Sequence, residues 1–189
     1  MEVVKIRILF FFLFIFTTCF GYNYSTVKIE KDIEKLFSIV EDKKSIQVGN
    51  TFYKVDMRKV IRMTAMIESN YGRDRANPNS KAKSIMQIEK KSYDFYINKE
   101  LELKKQLETE LGRELVYNKN SDAIFLAYIF FIAKLSTHPT WLNKYKDSVH
   151  FKHGNINYYI YKIYYNSIKG ATTKTTWDTR LKQLEKILK

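Results

Sequence analysis

A single glutamate on the apolar face of a predicted helix is the residue best suited to acid–base chemistry. Asp56 and Gly72 are suitable caps for a helix between them. Apolar residues recur there at helical spacing: Met57, Val60, Ile61, Ile67 and Tyr71. At about 100° per residue, Glu68 falls on this face, where partial loss of water raises a carboxyl pKa and suits it to proton donation. A solvated glutamate near a helix end is the plainer alternative.

Two short blocks of sequence begin at this glutamate. They read ESNYG at 68–72 and, after NPNS at 77–80, IMQI at 85–88. In order and spacing they resemble the core motif of soluble lytic transglycosylases, a family that shares its fold with goose-type lysozyme. The usual family pattern is E-S-x-Y-G, a short loop, and S-x-G-A-x-G-L-M-Q-I. Lys81 and Ser84 stand where the family usually has glycine.

A third, partial match lies near the carboxyl end. Tyr165 and Asn166, followed by Gly170, resemble the family segment A-Y-N-A-G-x-G. Ser167 and Ile168 replace its usual Ala-Gly. The resemblance therefore extends from about residue 55 to residue 170.

The resemblance implies an all-α, lysozyme-like (goose-type) catalytic domain. Its activity would be cleavage of the β-1,4 bond between N-acetylmuramic acid and N-acetylglucosamine in peptidoglycan, with formation of a 1,6-anhydro ring. Glu68 would be the general acid and then the base, and neither metal nor cofactor is needed. The resemblance places these residues at the substrate: Ser69, Ser84, Met86, Gln87, Tyr165 and Asn166. Met86 as a core residue and Ser69 as a helix-end cap are the structural alternatives.

Two other functions remain open at this point. A hydrolytic muramidase uses a second carboxylate as nucleophile or base, and Asp74 is the nearest in sequence to Glu68. A catalytically idle protein that binds or assembles the wall is the third interpretation, because Lys81, Ser84 and the altered Tyr-Asn segment depart from the family pattern.

The elements that position these residues are predicted to be helical. Beside the motif helix, periodicity predicts helices over 27–40, 92–111, 121–135, 155–168 and 176–188. Ser121–Leu135 is apolar nearly all round and is predicted to be the buried central helix, with Ser121 as its cap. Tyrosines crowd 155–168, where they either pack in the core with hydroxyls reaching water or form a sugar-binding wall. Weak alternation around Gly49-Asn50 predicts a short β-hairpin or an extended linker.

The first residues predict export. Lys5 and Arg7 precede an apolar run from Ile8 to Phe16, which is typical of a signal peptide over residues 1–21. Residues 22–54 are then an N-terminal helix and linker that pack on the domain, and residues 55–189 are the catalytic domain. Cleavage after Gly21 would deliver the chain to the periplasm; lipidation of Cys19, the only cysteine, is the alternative.

The charge of the chain indicates its partners. The formal net charge is +13 over 189 residues, which suits anionic polymers of the envelope. Glycan strands of peptidoglycan are the expected partner, and a cell-envelope secretion or assembly machine is a further candidate by analogy. Nucleic-acid binding also fits a basic chain, but the export signal argues against it.

Overall fold

The computed structural model describes residues 26–72, 82–147, 155–166 and 172–189. Over these residues the chain is mostly helical, which confirms the predicted helical class. Several predictions lie outside the described residues: the signal segment 1–21 with Cys19, the loop residues Asp74 and 77–81, and Ser167, Ile168 and Gly170.

The N-terminal part consists of a helix and a hairpin. Residues 26–37 form α1, which ends three residues before the predicted bound at Val40. Strands β1 (Lys43–Val48) and β2 (Thr51–Asp56) pair antiparallel, with Val48 opposite Thr51. Gly49 has φ +61°, a left-handed conformation that glycine adopts at little cost. The predicted hairpin around Gly49-Asn50 is thus confirmed.

The motif helix follows the hairpin directly. Helix α2 is Met57–Ser69, and the Asp56 side chain accepts a hydrogen bond from the Lys59 N–H at 2.8 Å, so Asp56 is the predicted cap. At the other end the predicted cap at Gly72 is wrong: the helix ends at Ser69, and Asn70 is the cap, with φ +49°. Arg62 pairs with Glu30 of α1 at 2.5 Å, which fixes α1 against α2.

A short turn carries the second motif block. Two-residue strands β3 (Ala82–Lys83) and β4 (Ile88–Glu89) pair antiparallel around residues 84–87. Neither strand was predicted from the sequence, because two-residue strands have no periodicity to detect.

The predicted single helix over 92–111 is wrong. The chain forms α3 (Lys90–Ile97) and α4 (Leu101–Leu111) instead. At the break, the Asn98 side chain donates to the Asp94 carbonyl at 2.7 Å, a local bond that competes with helix continuation. The predicted stop at Gly112 is confirmed, since this residue caps α4 with φ +66°.

Helix α5 (Asn120–Thr137) is buried along most of its length, as the sequence predicts. It packs against α2, α3 and α4. Ser121 is not its cap, because the helix already begins at Asn120. Although α5 is apolar, no helix within the described ranges is both long and apolar enough to cross a membrane.

The carboxyl-terminal part supplies the last packing layer. A short helix α6 (Trp141–Lys144) precedes α7 (Ile156–Tyr161), which continues as one π-helical segment, Lys162–Asn166. Helix α8 (Lys174–Ile187) packs on α2. Its Trp177 and Leu184 are buried as predicted, whereas Leu188 was expected to face inward and is 41% exposed.

Candidate active site

Glu68 lies in the last turn of α2, where it meets the tyrosine-rich segment. The side chain is partly buried. Its Oε1 accepts a hydrogen bond of 2.7 Å from the hydroxyl of Tyr161, the last residue of α7. Among the described residues no other side chain or backbone group bonds to this carboxyl. Tyr161 therefore holds one of the two oxygens of this carboxyl.

Burial determines the proton affinity of Glu68. Desolvation raises the pKa of the carboxyl above its ordinary value, and the Tyr161 hydrogen bond partly lowers it again. The pKa of Tyr161 is raised as well, first by burial of the phenol and second by the nearby charge of Glu68. Tyr161 thus remains protonated and serves as a fixed donor.

Tyr161 is itself held by several neighbours. It is fully buried, and its ring lies 5.4 Å from that of the buried Trp177 in α8. The side chains of Thr172 and Asn166 lie near its hydroxyl and lower the pKa of Tyr161, against the larger effect of burial. The amide oxygen of Asn166 also accepts from Lys162 Nζ at 2.9 Å. This network fixes the phenol that orients Glu68.

Tyr165 links this centre to the second motif block. Its ring stacks at 6.1 Å on Tyr161, and its hydroxyl donates to the backbone carbonyl of Met86. Burial, followed by the Glu68 charge, raises the pKa of Tyr165. The structure therefore brings together Glu68, Tyr161, Tyr165, Asn166 and the Met86 carbonyl.

No family model, curated protein or solved structure matches this chain.

Two of the predicted substrate residues have structural contacts. The Met86 side chain is fully buried and belongs to the core. Ser69 is also buried; its hydroxyl donates to the Ala65 carbonyl at 3.1 Å and accepts from the Gly72 N–H at 3.0 Å. These bonds close the end of α2, which favours the helix-end role of Ser69.

Ser84 and Gln87 form the ends of the turn between β3 and β4. Both have left-handed backbone, with φ of +65° and +50°. The Gln87 amide donates to the Ser84 carbonyl at 2.7 Å, so it folds back on its own turn. Both side chains are partly exposed. Ser84 stands where the resembling family has glycine, and its positive φ is the conformation that glycine adopts most readily.

The tyrosine-rich segment is core and not an open sugar-binding wall over most of its length. Tyr158, Tyr159, Tyr161 and Tyr164 are all 0% exposed. Contrary to the predicted contact with water, the Tyr159 hydroxyl donates to the Leu142 carbonyl at 2.8 Å, and that of Tyr164 to His138 at 3.1 Å. Tyr165 is only partly buried.

Sequence reasoning missed Tyr161, the residue that contacts Glu68. The family segment directed attention to Tyr165, one helical turn later. A signal was present, since Tyr161 and Tyr165 are spaced i, i+4 and so share a helix face. The spacing alone does not say which of the two phenols reaches the carboxyl.

A cavity of about 550 Å³ lies elsewhere, between β1, the end of α5 and α6. Ile46, Leu135 and Tyr164 contribute apolar surface, and Lys44 and Asn143 contribute polar groups. Its lining includes neither Glu68 nor any predicted substrate residue. Position relative to the carboxyl, and not cavity size, therefore identifies the candidate active site.

Proposed function

We propose that this chain is a peptidoglycan lytic transglycosylase with a lysozyme-like fold, in which Glu68 is the single catalytic acid and base. The observation that supports this most is the state of the Glu68 carboxyl: desolvated, with a raised pKa, and bonded at one oxygen to Tyr161. A glutamate prepared in this way holds a proton near neutral pH and releases it to a leaving group.

The first step is protonation of the glycosidic oxygen. Tyr161 donates to Oε1, which favours placement of the acid proton on Oε2. Glu68 transfers this proton to the oxygen that joins C1 of N-acetylmuramic acid to O4 of N-acetylglucosamine. The C1–O4 bond breaks, N-acetylglucosamine leaves with the proton as its 4-hydroxyl, and Glu68 becomes a carboxylate.

The second step closes the anhydro ring. The 6-hydroxyl oxygen of the muramoyl sugar forms a bond to C1, and its proton passes to the Glu68 carboxylate. The acid is thereby regenerated, and no water is consumed. Tyr161 stabilises the carboxylate between the two steps, because a hydrogen bond to the charged form of an acid favours that form.

The absence of a second carboxylate from the described surroundings of Glu68 favours this route over hydrolysis. No described acidic side chain contributes to the pKa shift of Glu68, whereas a muramidase of the usual kind needs a second carboxyl close by. Asp74, which sequence reasoning offered for that role, lies outside the described residues. Hydrolysis is therefore the second candidate function, and an idle wall-binding protein is the third.

The other predicted roles belong to the same proposal. Tyr165 lies near the carboxyl, whose charge raises its pKa. Asn166 would bind a sugar from its partly exposed position next in the chain. Ser84 and Gln87 present polar groups from the turn that Tyr165 contacts through Met86. The proposed location is the periplasm after removal of residues 1–21, where a basic chain meets anionic envelope polymers.

The experiment is product analysis on purified sacculi. The mature chain is incubated with peptidoglycan, and the soluble products are separated and weighed by mass spectrometry. Anhydro-muropeptides are expected. Reducing muropeptides would assign the chain to hydrolytic muramidases, and intact sacculi that retain bound protein would assign it to wall-binding proteins.

A further inference from the structure

Lys134 is a partly buried cation that lies over aromatic rings instead of beside a carboxylate. Its Nζ is 4.5 Å from the ring centroid of Phe130 and 5.2 Å from that of Tyr96. No ion pair between described residues includes it. In sequence, the segments that the structure does not describe contain two acidic residues, Glu2 and Asp74.

Two polar groups accompany this ammonium. The Tyr96 hydroxyl and His138 Nε2 are hydrogen-bonded at 2.9 Å. The His138 ring stacks on Trp141, with centroids 3.9 Å apart and planes 5° apart. Lys134, Tyr96 and His138, with the flanking rings of Phe130 and Trp141, are called the Lys134 cluster below. It joins α3, the end of α5 and α6.

The protonated lysine lacks a counter-charge in this cluster. Burial lowers the pKa of Lys134 to about 8, and no anion among the described residues offsets that effect. Burial first, and the Lys134 charge second, lower the pKa of His138, so near neutral pH the imidazole is mostly uncharged. Burial raises the pKa of Tyr96. The cluster therefore carries one positive charge near pH 7, and an anion that entered it would pair with that charge in a weakly solvated place.

Ring contacts connect the cluster to the candidate active site. The Phe130 ring contacts that of Tyr165 edge to face at 5.5 Å. Tyr165 in turn stacks on Tyr161 at 6.1 Å, and Tyr161 bonds to Glu68. Two ring contacts therefore separate the Lys134 cluster from the phenol that orients the catalytic carboxyl.

We propose that the Lys134 cluster binds a carboxylate of the peptide stem that peptidoglycan carries on its muramoyl sugars. This inference rests on the proposed function for the choice of ligand. The sugars of the glycan offer hydroxyl and acetamido groups, whereas the stem offers free carboxylates. The contacts that lead from Lys134 Nζ through the Phe130 and Tyr165 rings to that of Tyr161 are 4.5, 5.5 and 6.1 Å long. An extended peptide advances about 3.3 Å per residue, so a stem of about five residues spans them. The Phe130 and Tyr96 faces hold the ammonium in place.

Binding of a matched pair of ligands to the wild-type mature chain tests this. One is N-acetylmuramoyl-L-alanyl-γ-D-glutamyl-L-lysine with free carboxylates, and the other is the same compound with both carboxylates converted to amides. Calorimetry at pH 7 should give at least about tenfold tighter binding of the acid, in the range of charged hydrogen bonds. Affinity for the acid should fall as the pH rises above about 8, because Lys134 then loses its proton. Equal affinities for acid and amide would overturn the proposal, and this comparison needs no variant.

Three variants locate the effect. Lys134→Met keeps a long unbranched side chain and removes its charge, so this variant should bind the acid and the amide equally well. Lys134→Arg keeps the charge and should retain part of the preference. Lys144→Met is the matched control: Lys144 is exposed and also lies over a ring, that of Tyr145 at 5.4 Å. A preference for the acid that survives in Lys134→Met would place the carboxylate elsewhere.

The outcome is separable from that of the proposed function. A Lys134-dependent preference for the acid, with sacculi left intact, keeps the binding site and rejects the transglycosylase. Release of anhydro-muropeptides, with no preference for the acid, keeps the transglycosylase and rejects the binding site.

Discussion

Glu68 and Lys134 are two ionisable groups that the same core removes from water, and they differ in what replaces the water. Burial moves both toward the uncharged form: it raises the pKa of Glu68 and lowers that of Lys134 to about 8. Glu68 gains a directional partner, the Tyr161 hydroxyl at 2.7 Å. Lys134 gains the faces of Phe130 and Tyr96, which attract a cation without defining a hydrogen-bond direction.

This difference separates a group suited to catalysis from one suited to binding. Proton transfer needs a carboxyl in one orientation, because the donor must lie within hydrogen-bond reach of the reacting oxygen. Pairing with a carboxylate needs only a charge at an approximate place, which an ammonium over two rings supplies. Variants of the two groups and of their partners should therefore change different measured properties.

The largest effect is expected at Glu68 itself. Glu68→Gln keeps the shape and polarity of the side chain but cannot exchange a proton. Turnover should fall by about 10²- to 10⁴-fold or more, because the same group is both acid and base. Release of soluble muropeptides from sacculi measures this, with the exposed Glu110→Gln in α4 as the control that retains full activity.

The same substitution, Glu68→Gln, should not lower the stability of the folded chain. A raised carboxyl pKa means that the folded chain binds the proton more tightly than the unfolded chain. This contribution is greatest below the ordinary pKa of 4.5 and is lost as the pH rises through the folded value. At pH 7 Glu68→Gln should therefore be at least as stable as the wild type in a thermal melt. An inactive variant that also unfolds would mean that Glu68 is structural, and comparable turnover would mean that it is not the acid.

A smaller effect is expected when the directional partner is removed. Tyr161→Phe deletes the hydroxyl that lowers the pKa of Glu68, so that pKa rises further. Turnover should fall about fivefold, the scale of one lost hydrogen bond of about 1 kcal/mol. Because the protonated acid is the active form, the decline of activity on the alkaline side should move to higher pH.

Tyr159→Phe is the matched control for this variant. Tyr159 is equally buried and also loses one hydroxyl bond, to the Leu142 carbonyl at 2.8 Å. It should lose a similar amount of stability without a change in the pH profile. A displaced profile in Tyr159→Phe, or an unchanged one in Tyr161→Phe, would contradict the role of Tyr161.

The sequence predicts local and periodic features of this fold better than contacts between distant residues. The cap at Asp56, the hairpin at Gly49-Asn50 and the buried α5 are local or periodic features, and the sequence predicted each of them. Glu68 was selected by its helical angle and motif. Its partner Tyr161 is 93 positions away, and no period connects them.

Other features were not predicted from the sequence, for similar reasons. The break at Asn98 depends on one side-chain bond to Asp94, which interrupts a pattern that otherwise continues. The Lys134 cluster needs α3, α5 and α6 to meet, and in sequence Lys134 is an ordinary lysine near a helix end. Long-range contacts of this kind follow from packing, which the periodicity of one segment does not encode.

Lys134 should make the free energy of unfolding depend on pH. Its pKa is about 8 in the folded chain and about 10.5 as a free side chain. Between these values the unfolded chain binds more protons, so this group makes the folded state more stable as the pH rises. From pH 7 to 9.5 the free energy of unfolding should gain on the order of 2 kcal/mol in the wild type relative to Lys134→Met. Urea unfolding at both pH values measures the difference, and parallel curves would mean that Lys134 is fully solvated.

The smallest effect is expected at Ser84, where the backbone and not a charge determines the outcome. Its φ of +65° is unfavourable for a side chain with a Cβ, so Ser84→Gly should gain about 0.5 kcal/mol after the entropy of glycine is deducted. Ser84→Ala keeps the Cβ and the strain and removes only the hydroxyl, whose contact with the Met86 N–H is long at 3.5 Å.

The two Ser84 variants separate a backbone role from a substrate role. If the hydroxyl binds sugar, as the motif implies, both variants lose the same fraction of turnover and only their stabilities differ. Unequal turnover at equal stability would mean that the turn conformation, and not the hydroxyl, reaches the substrate. Urea unfolding and muropeptide release, measured on the same preparations, distinguish these outcomes. A glycine variant less stable than the alanine variant would contradict the left-handed conformation at this position.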